Sequence, residues 1–304
     1  MIFVILIMVS ITLMERLDNK VPSLDSNIIR LNRANKYDSL DYLFIGPSYN
    51  YCLIKPSMFD SIGIKSYNIG IATAGVNYYE QILKNYLSHL KVKPKNVALS
   101  FSLITFSDIA SDNWDNYPIH RYLKEPLSNE EICLKYGAYN RYWNMMTKSL
   151  RKSVLSVWEN NRVSQTNEYN ALINQPDSLK GYDKEPLSYF SDSLYMADKT
   201  KYEPFLKSTF SISRKEKLIE TVKSLEKNGI HVILLEAPTF RLKDFFDDQY
   251  KKNYEEFKHE LSSEKMNVVC IGNMDNKKFY SNIDHCNENG ANEYTKQLIK
   301  KLEL

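Results

Sequence analysis

The chain has 304 residues, 43% of them hydrophobic and 25% charged, with 40 basic against 37 acidic side chains. That apolar content and a net charge of only +3 exclude wholesale disorder, and the near balance of charge leaves no electrostatic case for nucleic acid. Nine Gly and ten Pro exclude collagen-like and low-complexity chains.

Residues 2–14 are almost wholly apolar, broken only by Ser10 and Thr12, and Glu15, Arg16 and Asp18 then open the polar chain. As a helix this run reaches about 20 Å, short of a hydrocarbon core of about 30 Å. Three readings stay open beside a buried strand or helix: an uncleaved anchor, a signal sequence, or the stub of a longer transmembrane helix. Residues 1–14 are therefore expected to be an anchor or signal segment and 15–40 a linker. The rest of the chain is expected outside the cytoplasm, at the periplasm or cell surface, attached to a membrane or secreted.

Residues 41–46 (DYLFIG) form a short apolar run ended by Gly46-Pro47-Ser48, which predicts a buried strand opening into a turn. Residues 65–69 predict a second strand, and residues 76–90 carry apolar side chains at helical spacing. Strands are predicted over 96–103, 231–235 and 267–271, with amphipathic helices over 213–228 and 288–302. Gly229 stands where a helix-ending glycine belongs. Alternating strands and helices predict an α/β fold, a three-layer α/β/α sandwich around a mostly parallel, five-stranded, flavodoxin-like sheet. Between about 105 and 210 the alternation stops, with one convincing helix over 141–157. A structureless loop of that length is uncommon, so an inserted subdomain or lid within the 41–304 domain is predicted.

Cysteines 52, 133, 270 and 286 show neither a CxxC pair nor metal-ligand spacing, so free thiols are expected and no metal site. No phosphate-binding glycine motif is present, so no cofactor is expected, and a flavodoxin-type electron carrier is disfavoured for want of a phosphate loop after strand one.

Ligands of parallel sheets bind beyond the carboxyl ends of the strands. Ser48 follows the first strand, at the start of a helix whose free N–H groups favour a developing oxyanion. The small residues of 70–75 follow the second strand and allow close approach of backbone N–H groups. Asp284-His285 precedes the last helix. Singly, each is ordinary: a serine cap, a turn, a surface histidine. Together they place a nucleophile, an oxyanion loop and a base on one edge of one sheet.

This arrangement resembles the SGNH/GDSL hydrolase superfamily. Gly46-Pro47-Ser48 is similar to its first block and Tyr67-Asn68-Ile69-Gly70 to its second. His285-Cys286-Asn287-Glu288-Asn289-Gly290-Ala291 is similar to the ending of a membrane-anchored subgroup that O-acylates polysaccharides, as is Glu236-Ala237-Pro238 after the fourth strand. The resemblance implies an acyl-Ser48 intermediate with His285 as base. Asn282 stands where the family has Asp, and Asp284 is the nearest carboxylate. The oxyanion would be held by Ser48 N–H and the loop around Thr73 and Gly75, with Asn77 or Asn50 as a side-chain donor. Thr73 occupies the second-block glycine position, and the third-block Asn has no match in residues 100–105. The implied function is a serine esterase or O-acetyltransferase acting on a carbohydrate or acyl-ester substrate at the cell surface, beside a membrane-bound O-acyltransferase. The alternative is a non-catalytic glycan-binding or acyltransferase-accessory protein with a degenerate site. The 22 Tyr include several in the insertion (Tyr117, Tyr122, Tyr136, Tyr139, Tyr142, beside Trp143) that suit either sugar stacking or the insertion's own core.

Overall fold

The computed structural model describes residues 26–72, 74–88, 92–110, 161–175, 177–184 and 190–304. The apolar run 2–14, the expected helix over 141–157, the insertion tyrosines and Cys133 lie outside these. Among the described residues no helix is long and apolar enough to cross a membrane.

The chain divides into two compact units, residues 1–33 with 114–176, and residues 34–113 with 177–304. The first unit contains most of helix α1 (Ser26–Ala34). The second holds a five-stranded sheet, every strand of which is parallel to its neighbours: β1 (Tyr42–Gly46), β2 (Ser66–Gly70), β3 (Asn96–Phe101), β4 (His231–Glu236) and β5 (Asn267–Cys270). Their order is β2-β1-β3-β4-β5, the flavodoxin-like winding expected from the alternation of elements. The strands form because YLFIG, NVALSF and HVILLE are runs of apolar residues that a sheet covered on both faces buries almost throughout.

Helices α2 (Ser48–Leu53) and α3 (Pro56–Asp60) follow β1, and α4 (Val76–Leu87) follows β2. Helix α5 (Asn161–Asn174) belongs to the first unit and α6 (Asp192–Tyr202) to the second. Then come α7 (Ile212–Lys227), α8 (Asp248–Ser263) and α9 (Glu288–Lys301). One layer contains α4, α7 and α8. Lys217 of α7 is paired with Glu80 of α4, and Lys215 with Glu260 of α8 at 2.5 Å. The other layer packs α9 on α2 and α3. There Thr295 Oγ1 donates to Leu53 O at 3.2 Å and accepts from Lys55 N–H at 3.1 Å.

Two differences from the sequence reading concern what surrounds the sheet. The crossover from β4 to β5 is a helix, α8, capped by Asp247 and buried through Tyr250, Tyr254, Phe257 and Leu261. The inserted unit is also narrower than 105–210. The described residues 177–184 and 190–210 belong with the sheet, and the 177–184 segment covers the outer edge of β2. Lys180 O accepts from Asn68 N–H at 3.0 Å, and Tyr67 Oη donates to Asp177 at 2.7 Å. Gly181, at φ +82°, makes this fit possible, because a Cβ there would stand 1.9 Å from Asn68 O. The cover removes an exposed strand edge that would otherwise template pairing with another chain.

Candidate active site

The winding reverses between β1 and β3, and the crevice beyond their carboxyl ends is where such sheets bind ligands. Gly46 ends β1, and the chain turns at once through Pro47 into α2. A side chain at 46 would collide with Asn50 Cβ at 2.7 Å and Ser100 Cβ at 2.8 Å, so only glycine permits the turn. Ser48 is the first residue of α2 and stays partly exposed in the crevice.

Buried polar residues rivet this helix to the sheet. Asn50 is fully buried; its Nδ2 donates to Asn68 Oδ1 at 2.6 Å, and its Oδ1 accepts from Ser100 Oγ. Asn68 Nδ2 in turn donates to Asn50 O at 2.9 Å and Ile54 O at 3.1 Å. The structure thus corrects the expectation for Asn50. It is no oxyanion donor, because its amide is spent inside the protein where no substrate reaches. It joins α2, β2 and β3, and every one of its polar atoms has a partner, as burial demands.

His285 arrives from the far end of the chain on a narrow loop pinched by a bridge between Tyr280 and Cys286. Its Nε2 lies 2.8 Å from Ser48 Oγ. Its Nδ1 lies 3.1 Å from Asn282 Oδ1 and 2.9 Å from Asp284 Oδ1. The His285 and Asp284 side chains are only 14% and 13% exposed. Asn282 Oδ1 also accepts from the backbone N–H of Asp284 at 3.0 Å and of His285 at 2.8 Å. This turn brings the carboxylate of Asp284 round to the imidazole. A neighbouring residue would ordinarily point elsewhere, and the Asn282 side chain is the reason this one does not.

Behind Asp284 stands α6, which the sequence reading did not connect with the site. Burial works to raise the Asp284 carboxyl, but the charge and contact of His285, the charge of Lys201 and a hydrogen bond with Tyr202 outweigh it and hold it at about 2. Burial, followed by the adjacent Asp284 charge, drives the Tyr202 hydroxyl far above its ordinary range. Lys201 Nζ donates to Tyr202 Oη at 3.1 Å, and Asp198 accepts from Ile283 N–H at 3.4 Å. No sequence signal pointed to these three residues, since α6 has weak periodicity and lies more than eighty positions from the histidine.

A carboxylate held below its ordinary 3.8 stabilises the fold above that value, and the contribution is lost as pH falls through about 2. Asp284→Asn is therefore expected to unfold more readily than wild type at pH 6, by on the order of 2 kcal/mol. That gap should close between about pH 4 and pH 2 in urea titrations. A gap that persisted unchanged at pH 2 would contradict the pairing of Asp284.

On the oxyanion side, Ile71 N–H bonds Gly46 O at 2.9 Å, so the loop after β2 runs beside the turn that carries Ser48. Ala74 N–H is spent on Ile71 O at 3.1 Å. Gly75, buried at the start of α4, remains a described backbone candidate. Thr73 and the side chain of Asn77 lie outside the described residues. Among the described residues no group of three His, Cys, Asp or Glu could share a metal ion, and Cys270 and Cys286 are free thiols.

No protein-family model and no curated protein matches the chain. Among solved structures it is similar to a Bacteroides fragilis protein described as a "putative acylhydrolase". The two share 12% identity over 92% of this chain and 97% of that one, with a TM-score of 0.42. So distant a likeness carries no argument about activity, and the chemistry rests on the site itself.

Proposed function

We propose that the protein is a serine acyl-transfer enzyme of the SGNH/GDSL type, an esterase or O-acetyltransferase acting on esters of a cell-surface polysaccharide. The observation that carries this reading is the 2.8 Å contact between Ser48 Oγ and His285 Nε2 in the crevice where the sheet's winding reverses. A nucleophile and base must meet within hydrogen-bond reach, and these two are 237 residues apart in the chain.

In the proposed reaction His285 Nε2 takes the Ser48 proton as Oγ attacks the ester carbonyl. The backbone N–H groups of Ser48 and of Gly75 hold the oxyanion. The imidazolium then protonates the departing alcohol, leaving acyl-Ser48. A second hydroxyl, activated by the same imidazole, attacks that ester and restores the serine. Water gives hydrolysis and a sugar hydroxyl gives transfer. The apolar N-terminus and the resemblance to polysaccharide O-acylation proteins support an extracytoplasmic site beside a membrane-bound acyltransferase that supplies the acyl group. The non-catalytic reading rested on Asn282 in place of Asp, and it draws no support from a dyad at hydrogen-bonding distance.

A fluorophosphonate tests the nucleophile without knowledge of the acyl group, since Oγ forms a bond to phosphorus as fluoride leaves. We expect one adduct, on the peptide containing Ser48, and none in Ser48→Ala. A wild-type protein that neither labels nor hydrolyses p-nitrophenyl acetate would sink the enzyme reading. Sugar acceptors added to the acetate assay separate transferase from esterase.

A further inference from the structure

We infer that the work of a triad's third residue is divided here between two positioning side chains. Asn282 holds His285 in the tautomer with its proton on Nδ1, and Asp284 supplies the negative charge that stabilises the imidazolium. The inference rests on the acyl-transfer reading and deepens it.

The argument for Asn282 begins with its backbone partners. Two main-chain N–H groups, of Asp284 and His285, point at one atom of its amide. Only an oxygen can accept them, so the amide cannot be turned about. That oxygen is the in-line partner of His285 Nδ1 at 3.1 Å, and an acceptor there requires Nδ1 to carry the proton. Nε2 is then the lone-pair nitrogen that faces Ser48 Oγ. In a serine-protease triad, Asp-to-Asn replacement fails chiefly because the amide favours the wrong tautomer. Here the turn itself prevents that failure.

An amide carries no net charge, however, and imidazolium formation calls for one. Asp284 Oδ1 lies 2.9 Å from the same Nδ1, with no hydrogen bond aligned on it. It therefore acts as a neighbouring charge, which needs proximity and low exposure, not alignment. The groups facing the pair are Lys201, Tyr202 and Asp198 of α6, Tyr49 of α2 and Ser48 itself. His285 first, and then Lys201 and Tyr202, keep Asp284 ionised against its burial.

The test is nitrogen-detected NMR of the five histidines in the full chain held in detergent, with His285→Ala to assign the signal and Asp284→Asn as the isosteric variant. Neutral His285 in wild type should show the Nδ1–H form. Asp284→Asn should keep that tautomer while lowering the His285 titration midpoint by about one to three pH units. The acid limb of ester hydrolysis should move by the same amount. A purely structural role for Asp284 would move neither. An unmoved midpoint in Asp284→Asn, or an Nε2–H tautomer in wild type, overturns the division of labour. Because the tautomer and midpoint are read without turnover, an inert protein with the expected spectra would sink acyl transfer alone.

Discussion

His285→Ala is expected to lower turnover of an activated ester by about 10⁴- to 10⁶-fold, far more than its effect on the urea midpoint accounts for. The size follows from what the imidazole does. Without a base at 2.8 Å, the Ser48 hydroxyl stays protonated at neutral pH and is a poor nucleophile. Nothing else described stands ready to replace it, since the Asp284 carboxylate is held toward Lys201 and Tyr202 of α6. The loss of the ring, which is only 14% exposed and is the foremost partner of the Asp284 carboxylate, also costs stability, although Asn282 stays bonded to two backbone amides. Residues that act as a unit fail as a unit, so Ser48→Ala/His285→Ala should be no slower than either single variant. Steady-state hydrolysis of p-nitrophenyl acetate by all three proteins measures this. A His285→Ala protein retaining a tenth of wild-type activity would remove histidine from the mechanism. A double variant much slower than the singles would show that the two residues act independently and not as a dyad.

The sheet was legible from sequence because its strands are buried on both faces, and such strands announce themselves as short apolar runs between turn residues. The predicted strand over 96–103 overshot by two residues, because Ser102 caps a tight turn over Leu103–Phe106 instead of extending β3. Helix α8 was missed, although its buried positions fall at helical spacing. Their neighbours are Lys, Glu and Asp, and the apolar stripe is made of aromatics that also suit a surface. In the site, Ser48 and His285 could be read from their places after β1 and before α9. Asn282 and Asp284 were candidates by their places beside the histidine, but how both meet Nδ1 was not legible. Asp284 reaches Nδ1 through a turn closed by the Asn282 side chain, and no spacing rule encodes that geometry. Asn50 was misread for a related reason. At the start of a helix beside the nucleophile, a buried strut and an oxyanion donor share the same residue type and position. Only burial and hydrogen-bond partners separate them.

Gly290→Ala is expected to destabilise the protein by about 2 kcal/mol or more, against the helix-propensity gain of about 1 kcal/mol that alanine brings. Asn287 caps α9, its Oδ1 accepting from Gly290 N–H at 3.1 Å, while its Nδ2 donates to Lys278 O at 2.8 Å and Tyr280 O at 3.3 Å. Its own N–H bonds Phe279 O at 2.9 Å. These bonds draw the 278–280 backbone so close to the first turn of α9 that a Cβ at 290 would lie 2.1 Å from Phe279 O. That oxygen cannot retreat without breaking the Asn287 bond, and a backbone shift there passes directly into the loop that carries His285. Ser281 N–H bonds His285 O at 3.0 Å, so the two sides of the loop move together. A displacement of about 1 Å at the imidazole would lower turnover by about 10²-fold. Gly272→Ala is the control, because a Cβ there meets nothing within 4 Å and should be close to neutral. Urea unfolding and acetate hydrolysis of the two variants decide the matter. Equal stability and activity in both would mean that the loop yields freely, and that the cap at Asn287 does not set the position of the base.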